Sequence, residues 1–126
     1  MTHLDTHVVA WLYAGEVDRF PEAARLALEG DTLAISPAVV LELQYLHEIG
    51  RLAEPARAVL DDLRDRIGLE FAEADFPSVI WKANALSWTR DPFDRLIAAH
   101  ALADDTPLLT ADRVLREHLP MAFWDR

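Results

Sequence analysis

Glu42 is the residue whose position most needs a chemical explanation. It sits in the run Ser36-Pro37-Ala38-Val39-Val40-Leu41-Glu42-Leu43, and its neighbours three and four positions away are Ala38, Val39, Tyr45 and Leu46. On a helix these neighbours share its surface, and all are apolar or aromatic, so Glu42 falls on the stripe that packs inward. Burying a lone ionised carboxylate costs on the order of several kcal/mol unless a hydrogen-bond partner, a cation or a metal satisfies it. Asp94 stands at the margin of a second apolar face, formed by Phe93, Leu96, Ile97 and Ala101. Asp5 closes the first apolar run of the chain, and Asp112 follows Pro107-Leu108-Leu109-Thr110-Ala111. Each acid also has a plain structural role open to it. Glu42 could bond a backbone amide or an arginine. Asp5, Asp91 and Asp112 suit helix N-caps, and Asp91 with Asp94 matches an acidic variant of the capping box.

Taken together, these acids point to chemistry. Carboxylates that meet in one crevice raise one another's pKa and cannot all stay ionised without a counter-charge. Hard divalent cations with oxygen ligands, Mg²⁺ or Mn²⁺, resolve that conflict. Two such ions, about 3.5–4 Å apart, activate water and stabilise the leaving oxygen in phosphodiester hydrolysis. The residue types therefore point to metal-dependent phosphoryl transfer.

The elements that would position these acids alternate along the chain. Short apolar runs predict strands near 2–5, 31–36, 69–73, 107–110 and 121–124, and helix-period segments predict helices near 7–14, 21–29, 37–48, 54–66, 75–88, 92–102 and 113–118. Ser36-Pro37 and Asp91-Pro92 read as N-caps followed by proline at the first helical position. Strands separated by helices require crossover connections, so the fold class is α/β with a mainly parallel sheet of four or five strands covered on both faces. Acids placed after strands or at the starts of helices then gather at the carboxyl edge of that sheet, where open parallel sheets bind ligands.

Composition bounds the rest. The 126 residues make one domain, spanning 1–126, with 52% apolar content to build a core. There is no cysteine, which excludes disulfides, thiolate metal sites and cysteine nucleophiles. Neither a signal peptide nor an apolar run of membrane-spanning length is present, so a cytoplasmic, membrane-free protein is expected. The formal net charge is −10, and Lys82 is the only lysine beside eleven arginines. Such a chain repels phosphate backbones except where cations intervene, and it invites a basic protein partner.

Four blocks carry a resemblance: Leu4-Asp5-Thr6-His7-Val8-Val9-Ala10-Trp11-Leu12, Ser36 to Leu43, Arg90-Asp91-Pro92-Phe93-Asp94-Arg95-Leu96-Ile97-Ala98-Ala99, and Leu108-Leu109-Thr110-Ala111-Asp112. No block is specific alone; the set, in this order and spacing, resembles a PIN domain, and more narrowly the VapC-type toxins of bacterial toxin–antitoxin pairs. The resemblance implies a three-layer α/β/α sandwich and a Mg²⁺- or Mn²⁺-dependent endoribonuclease. It assigns Asp5, Glu42, Asp94 and Asp112 as catalytic metal-binding acids and Asp91 as an accessory acid. Thr6, Ser36 and Thr110 match hydroxyl positions that orient carboxylates or waters. Many family members carry Asn where this chain has His7, which is expected to be an ordinary helix histidine. Arg95 and Arg113 flank the acids and are candidates for contact with substrate phosphate, each with a surface salt bridge as the alternative. His100 reads as a core histidine.

The implied partners are an RNA substrate, a cognate antitoxin, and a second copy in a homodimer or larger assembly. Trp81, Ala85 and Trp88 would share one side of the helix near 75–88, either as core or as part of such an interface. Two other readings compete: a catalytically silent binding module of the same fold, and a phosphoacceptor receiver domain with an acidic Mg²⁺ pocket. The receiver reading wants adjacent acids after the first strand and a lysine after the fifth, and neither is present. A dinucleotide site is poorly supported, since the four glycines form no Gly-rich loop.

Overall fold

The computed structural model describes residues 1–125. Its strands β1 (Thr2–Leu4), β2 (Leu33–Ile35), β3 (Glu70–Phe71), β4 (Leu108–Leu109) and β5 (Ala122–Phe123) form one sheet in the order β3-β2-β1-β4-β5. Every neighbouring pair is parallel. The helices are α1 (Thr6–Ala14), α2 (Glu22–Gly30), α3 (Pro37–Glu48), α4 (Ala56–Ile67), α5 (Phe76–Asn84), α6 (Pro92–Ala103) and α7 (Arg113–His118), with a short 3-10 turn at Val17–Arg19. Parallel neighbours cannot be joined by hairpins, so each connection crosses over a face of the sheet. Right-handed crossovers put α1 to α4 over one face and α5 to α7 over the other, which is the expected three-layer α/β/α sandwich.

Side chains from both layers meet on the three central strands. Leu4, Ile35, Leu108 and Leu109 from the sheet pack with Val8, Val9, Leu43, Leu63, Ile97 and Leu115 from the helices, all essentially without solvent exposure. That apolar burial supplies most of the driving force for folding. The helix starts follow the expected caps. Ser36 Oγ accepts from the Ala38 N–H with Pro37 leading α3, and Asp91 caps α6 with Pro92 in the same position. Gly68 closes α4 in the left-handed conformation, φ 68°, where a side chain would be strained.

All five strands, and the helix near 75–88, are shorter than the sequence predicts. The helix expected over 75–88 ends at Asn84, with the Ala85 and Leu86 N–H groups falling back to the Lys82 and Ala83 carbonyls. No glycine or proline marks this end; Leu86 and Trp88 instead turn in to pack on the core. The expected shared side of Trp81, Ala85 and Trp88 therefore does not form. Trp88 stacks on His118 with ring centroids 4.7 Å apart, while Trp81 stays 73% exposed on α5. The strand expected over 69–73 is reduced to Glu70–Phe71 at the sheet edge. Among the described residues, no helix is long and apolar enough to cross a membrane.

Candidate active site

Strand order reverses between β1 and β4, since β1 leads outward to β2 on one side and β4 leads to β5 on the other. The carboxyl ends of such a pair diverge into a crevice, the usual ligand site of an open parallel sheet. Here the crevice is a cleft of about 470 Å³ lined by Asp5, Glu42, Asp91, Asp94 and Asp112, with Thr6, His7, Trp11 and Arg51 among the other walls. The four acids and the accessory acid named from the sequence thus line one cleft. A more apolar hollow between Leu60, Leu69 and Phe71 has only Arg64 and Glu70 as titratable walls.

The capping roles and the cleft turn out to be compatible. Asp5, 4% exposed, caps α1 by accepting the Thr6 N–H on Oδ1 at 2.8 Å, and its Oδ2 accepts the Thr110 hydroxyl at 2.7 Å. Asp112 Oδ1 accepts the Val114 and Leu115 N–H groups at 2.8 and 3.2 Å. Asp91 Oδ1 accepts those of Phe93 and Asp94 at 2.9 and 3.3 Å. In Asp91 and Asp112, Oδ1 alone takes these bonds, and among the described residues Oδ2 has no donor. The Thr6 hydroxyl donates to Glu42 Oε1. Glu42 is half-buried at the cleft wall, at the margin of the inward stripe of Val39 and Leu43.

Asp94 has no capping role. The capping box would have it bond the Asp91 N–H, which donates instead to Thr89 Oγ1 at 3.2 Å. Burial, and then the charges of Asp91, Asp5, Asp112 and Glu42, push the Asp94 carboxyl up from 3.8 to about 7. Burial also raises Glu42, outweighing the Thr6 hydrogen bond that favours its ionised form, and Asp5 and Asp91 add to the rise. The donor set suits a hard divalent cation: it is all oxygen, and Asp94 retains a proton near neutrality for want of counter-charge. Among the described residues, no three His, Asp or Glu side chains stand ready-made as a cage. Asp5, Glu42, Asp91 and Asp112 turn to donors of their own chain, and a cation would have to draw the acids together.

The neighbours hold this arrangement. Thr110, fully buried, accepts the Asp112 N–H at 3.0 Å while donating to Asp5. His7 is more than the ordinary helix histidine expected. Its Nε2 accepts the Ala111 N–H at 2.9 Å, so the ring proton belongs on Nδ1, 3.5 Å from Asp5 Oδ2. It thereby ties α1 to the loop that carries Asp112. Ser36 departs from its expected role: its hydroxyl lies 2.6 Å from His100 Nδ1, and among the described residues it meets no carboxylate. His100 is 4% exposed, as a core histidine should be.

The two arginines singled out from the sequence engage elsewhere. Arg95 Nε donates to the Thr89 carbonyl at 2.8 Å, and Arg113 pairs with Glu117 at 3.0 Å on the surface. Neither lines the cleft; Arg51 does, and sequence reasoning passed over it because it follows a helix end with no acid beside it. Lys82, the cation a receiver domain would need, sits exposed on α5.

Comparison with known proteins agrees with this fold. The family model of the PIN domain matches residues 3–118. The chain is 37% identical to ribonuclease VapC22 of Mycobacterium tuberculosis, over 96% of each protein. Its fold is similar to that in the Rickettsia felis VapBC2 structure bound to a promoter DNA fragment, with a TM-score of 0.73, 23% identity and 98% of both chains covered. A toxin–antitoxin complex from Klebsiella pneumoniae superposes with a TM-score of 0.70 at 16% identity, covering both chains in full.

Proposed function

The chain belongs to the PIN-domain family, and on that premise we propose that it is a VapC-type endoribonuclease, the toxin of a toxin–antitoxin pair, that hydrolyses RNA phosphodiester bonds with Mg²⁺ or Mn²⁺. The observation that carries this reading is the meeting of five carboxylates at the switch point, with Asp94 displaced to about 7.

The residues divide the work by their environment. Asp5, Asp94 and Asp112, with Glu42, would hold the cation, and Asp91 stands beside them. When bound, a divalent ion would supply Lewis acidity toward phosphoryl oxygen and a lowered pKa for attacking water. Asp94 would release its proton on binding a cation, so its carboxyl would couple cation affinity to pH. Thr6 and Thr110 keep their hydroxyl protons committed to Glu42 and Asp5, which makes them positioning groups rather than nucleophiles. The caps at Asp5, Asp91 and Asp112 tie each carboxylate to a helix start, so the backbone roots the acids around the cleft while the cage itself would close only around a cation.

The partner chemistry follows from charge. A net charge of −10 and a cleft walled by acids suit a basic side chain of an antitoxin entering the cleft as inhibitor. Assembly with the antitoxin, as a homodimer or larger complex in the cytoplasm, completes the proposal. Exposed Phe76 and Trp81 on α5 are available to such contacts.

The test is cleavage of a mixed RNA pool by antitoxin-free protein, with Mg²⁺ or Mn²⁺ against EDTA, beside Asp5→Asn. Metal-dependent cutting that disappears in the variant supports the proposal. Folded, inhibitor-free protein that cuts with neither metal would overturn it in favour of a silent binding module. Cutting that survives the substitution would displace the site.

A further inference from the structure

We infer that Arg51 grips an RNA phosphate at the rim of the carboxylate cleft, an assignment that rests on the ribonuclease reading above. An acidic cleft repels the substrate it must hold, and a cation at the reacting phosphate leaves the flanking phosphates without a partner. The chain must supply a cation of its own, and one its many acids have not already taken.

The arginines near the cleft are mostly committed. Arg95 bonds the Thr89 carbonyl, Arg90 the Ser87 carbonyl, Arg113 pairs with Glu117, and Arg116 with Asp125. Arg51 lines the cleft with five carboxylates, yet among the described residues its guanidinium has no hydrogen bond or ion pair. It is exposed, and its charge is free for an incoming anion.

Its mount, by contrast, is rigid. Gly50, at φ 83°, turns the chain sharply after α3, a conformation that a side chain would strain. The Arg51 and Leu52 N–H groups then both donate to the Leu46 carbonyl, at 2.8 and 3.2 Å. His47 Nδ1 donates to the Leu52 carbonyl at 3.0 Å and ties the turn to α3 from the other side. The clamped backbone fixes the root of Arg51 at the rim, and its free, planar guanidinium can turn from there to meet a phosphate with two donors.

The test uses the full chain, a fluorescein-labelled single-stranded RNA of mixed sequence, and the variants Arg51→Gln and Arg51→Lys. We expect Arg51→Gln to raise KM and the anisotropy Kd roughly tenfold, with kcat changed by no more than about twofold. The slope of log Kd against log salt should fall by about 0.7, one phosphate contact on a single strand. Arg51→Lys should recover part of the affinity, and the Mn²⁺ midpoint of a thermal-shift titration should not move. Unchanged KM, Kd and salt slope in Arg51→Gln would overturn the inference. So would a shifted Mn²⁺ midpoint with unchanged RNA affinity, which would make Arg51 a counter-charge for the acids. The ribonuclease reading is scored separately by wild-type cleavage, since RNA binding by anisotropy tests Arg51 even in protein that does not cut.

Discussion

Thr110 donates its hydroxyl proton to Asp5 Oδ2 at 2.7 Å across 105 residues of sequence, and Thr110 Oγ1 itself accepts the Asp112 N–H at 3.0 Å. One buried hydroxyl thus sets the spacing of two acids carried by different strands. Thr110→Val keeps the shape and removes both bonds, leaving a nearly buried carboxylate short of a donor. We expect a loss of about 1–3 kcal/mol in denaturant unfolding and a fall in cleavage of more than about tenfold, with Thr110→Ser close to wild type on both. Equal stability in the Val and Ser variants would remove the linking role.

Asp94 gives the metal-free protein a distinctive pH dependence. Its folded pKa of about 7 lies above the ordinary 3.8, so between these values the folded state holds a proton that the unfolded chain has released. This contribution to stability is full below about 4 and is lost as pH rises through 7. Asp94→Asn should therefore raise the melting temperature at pH 8 by roughly 4 °C, a figure reduced for solvent screening of a half-buried group. Mn²⁺ should stabilise the wild type at that pH and have little effect on the variant. Melting curves from pH 4 to 8, with and without Mn²⁺, check both.

The buried histidines work in the opposite direction. Burial lowers the pKa of His3, although Asp104 accepts from its Nε2 at 2.8 Å, and burial also lowers that of His100. Both are favoured neutral, and their contribution is full above about 6.5 and lost as pH falls through their folded values. The Asp94 and histidine slopes oppose each other in wild type. In Asp94→Asn the raised Glu42 still opposes the histidine slope but the Asp94 contribution is gone, so acid destabilisation below pH 6 should be steeper than in wild type by the same melting assay.

Asp112 does two jobs that substitution can separate. Asn at this position still accepts the Val114 and Leu115 N–H groups but brings no charge to the cleft. We expect Asp112→Asn to keep stability within about 0.5 kcal/mol while losing metal-dependent cleavage. Asp112→Ala should lose the cleavage and about 1 kcal/mol as well. If both variants unfold at the same denaturant concentration, the capping role falls.

His7 joins α1 to the Asp112 loop through the Ala111 N–H. Phe keeps the contact with Trp11, whose ring lies 4.8 Å from that of His7, but cannot accept that hydrogen. His7→Phe should cost about 1 kcal/mol and speed amide exchange at Ala111 and Asp112. Unchanged exchange there would show the loop to be held without His7, by Thr110 and by Arg116 on the Ala111 carbonyl.

Much of the fold was legible because its signals are local. Ser36-Pro37 and Asp91-Pro92 mark helix starts through interactions within three residues, and alternation of short apolar runs with helical periods specifies a parallel sheet whatever the packing. The end of α5 left no such mark. It is set by Leu86 and Trp88 turning toward a core assembled from distant segments. The acids were legible by type and position because a carboxylate on an apolar face or at a strand end stands out against solvated neighbours. Arg51 was not legible, because an arginine after a helix end looks like any surface cation until its neighbours in space are known.

By itself, then, the sequence determined the α/β class, the helix caps, and which carboxylates had no solvent-facing reason to be where they are. Those follow from periodicity and short-range hydrogen bonding, which act over a few residues. The tertiary structure alone decided that Asp94 is the acid without a cap or donor, that Ser36 serves His100 rather than a carboxylate, and that Thr110 and His7 bind the two acidic loops together. Hydrogen bonds and charge effects depend on distances in space, and those distances exist only once the crossovers have brought β1 and β4 side by side.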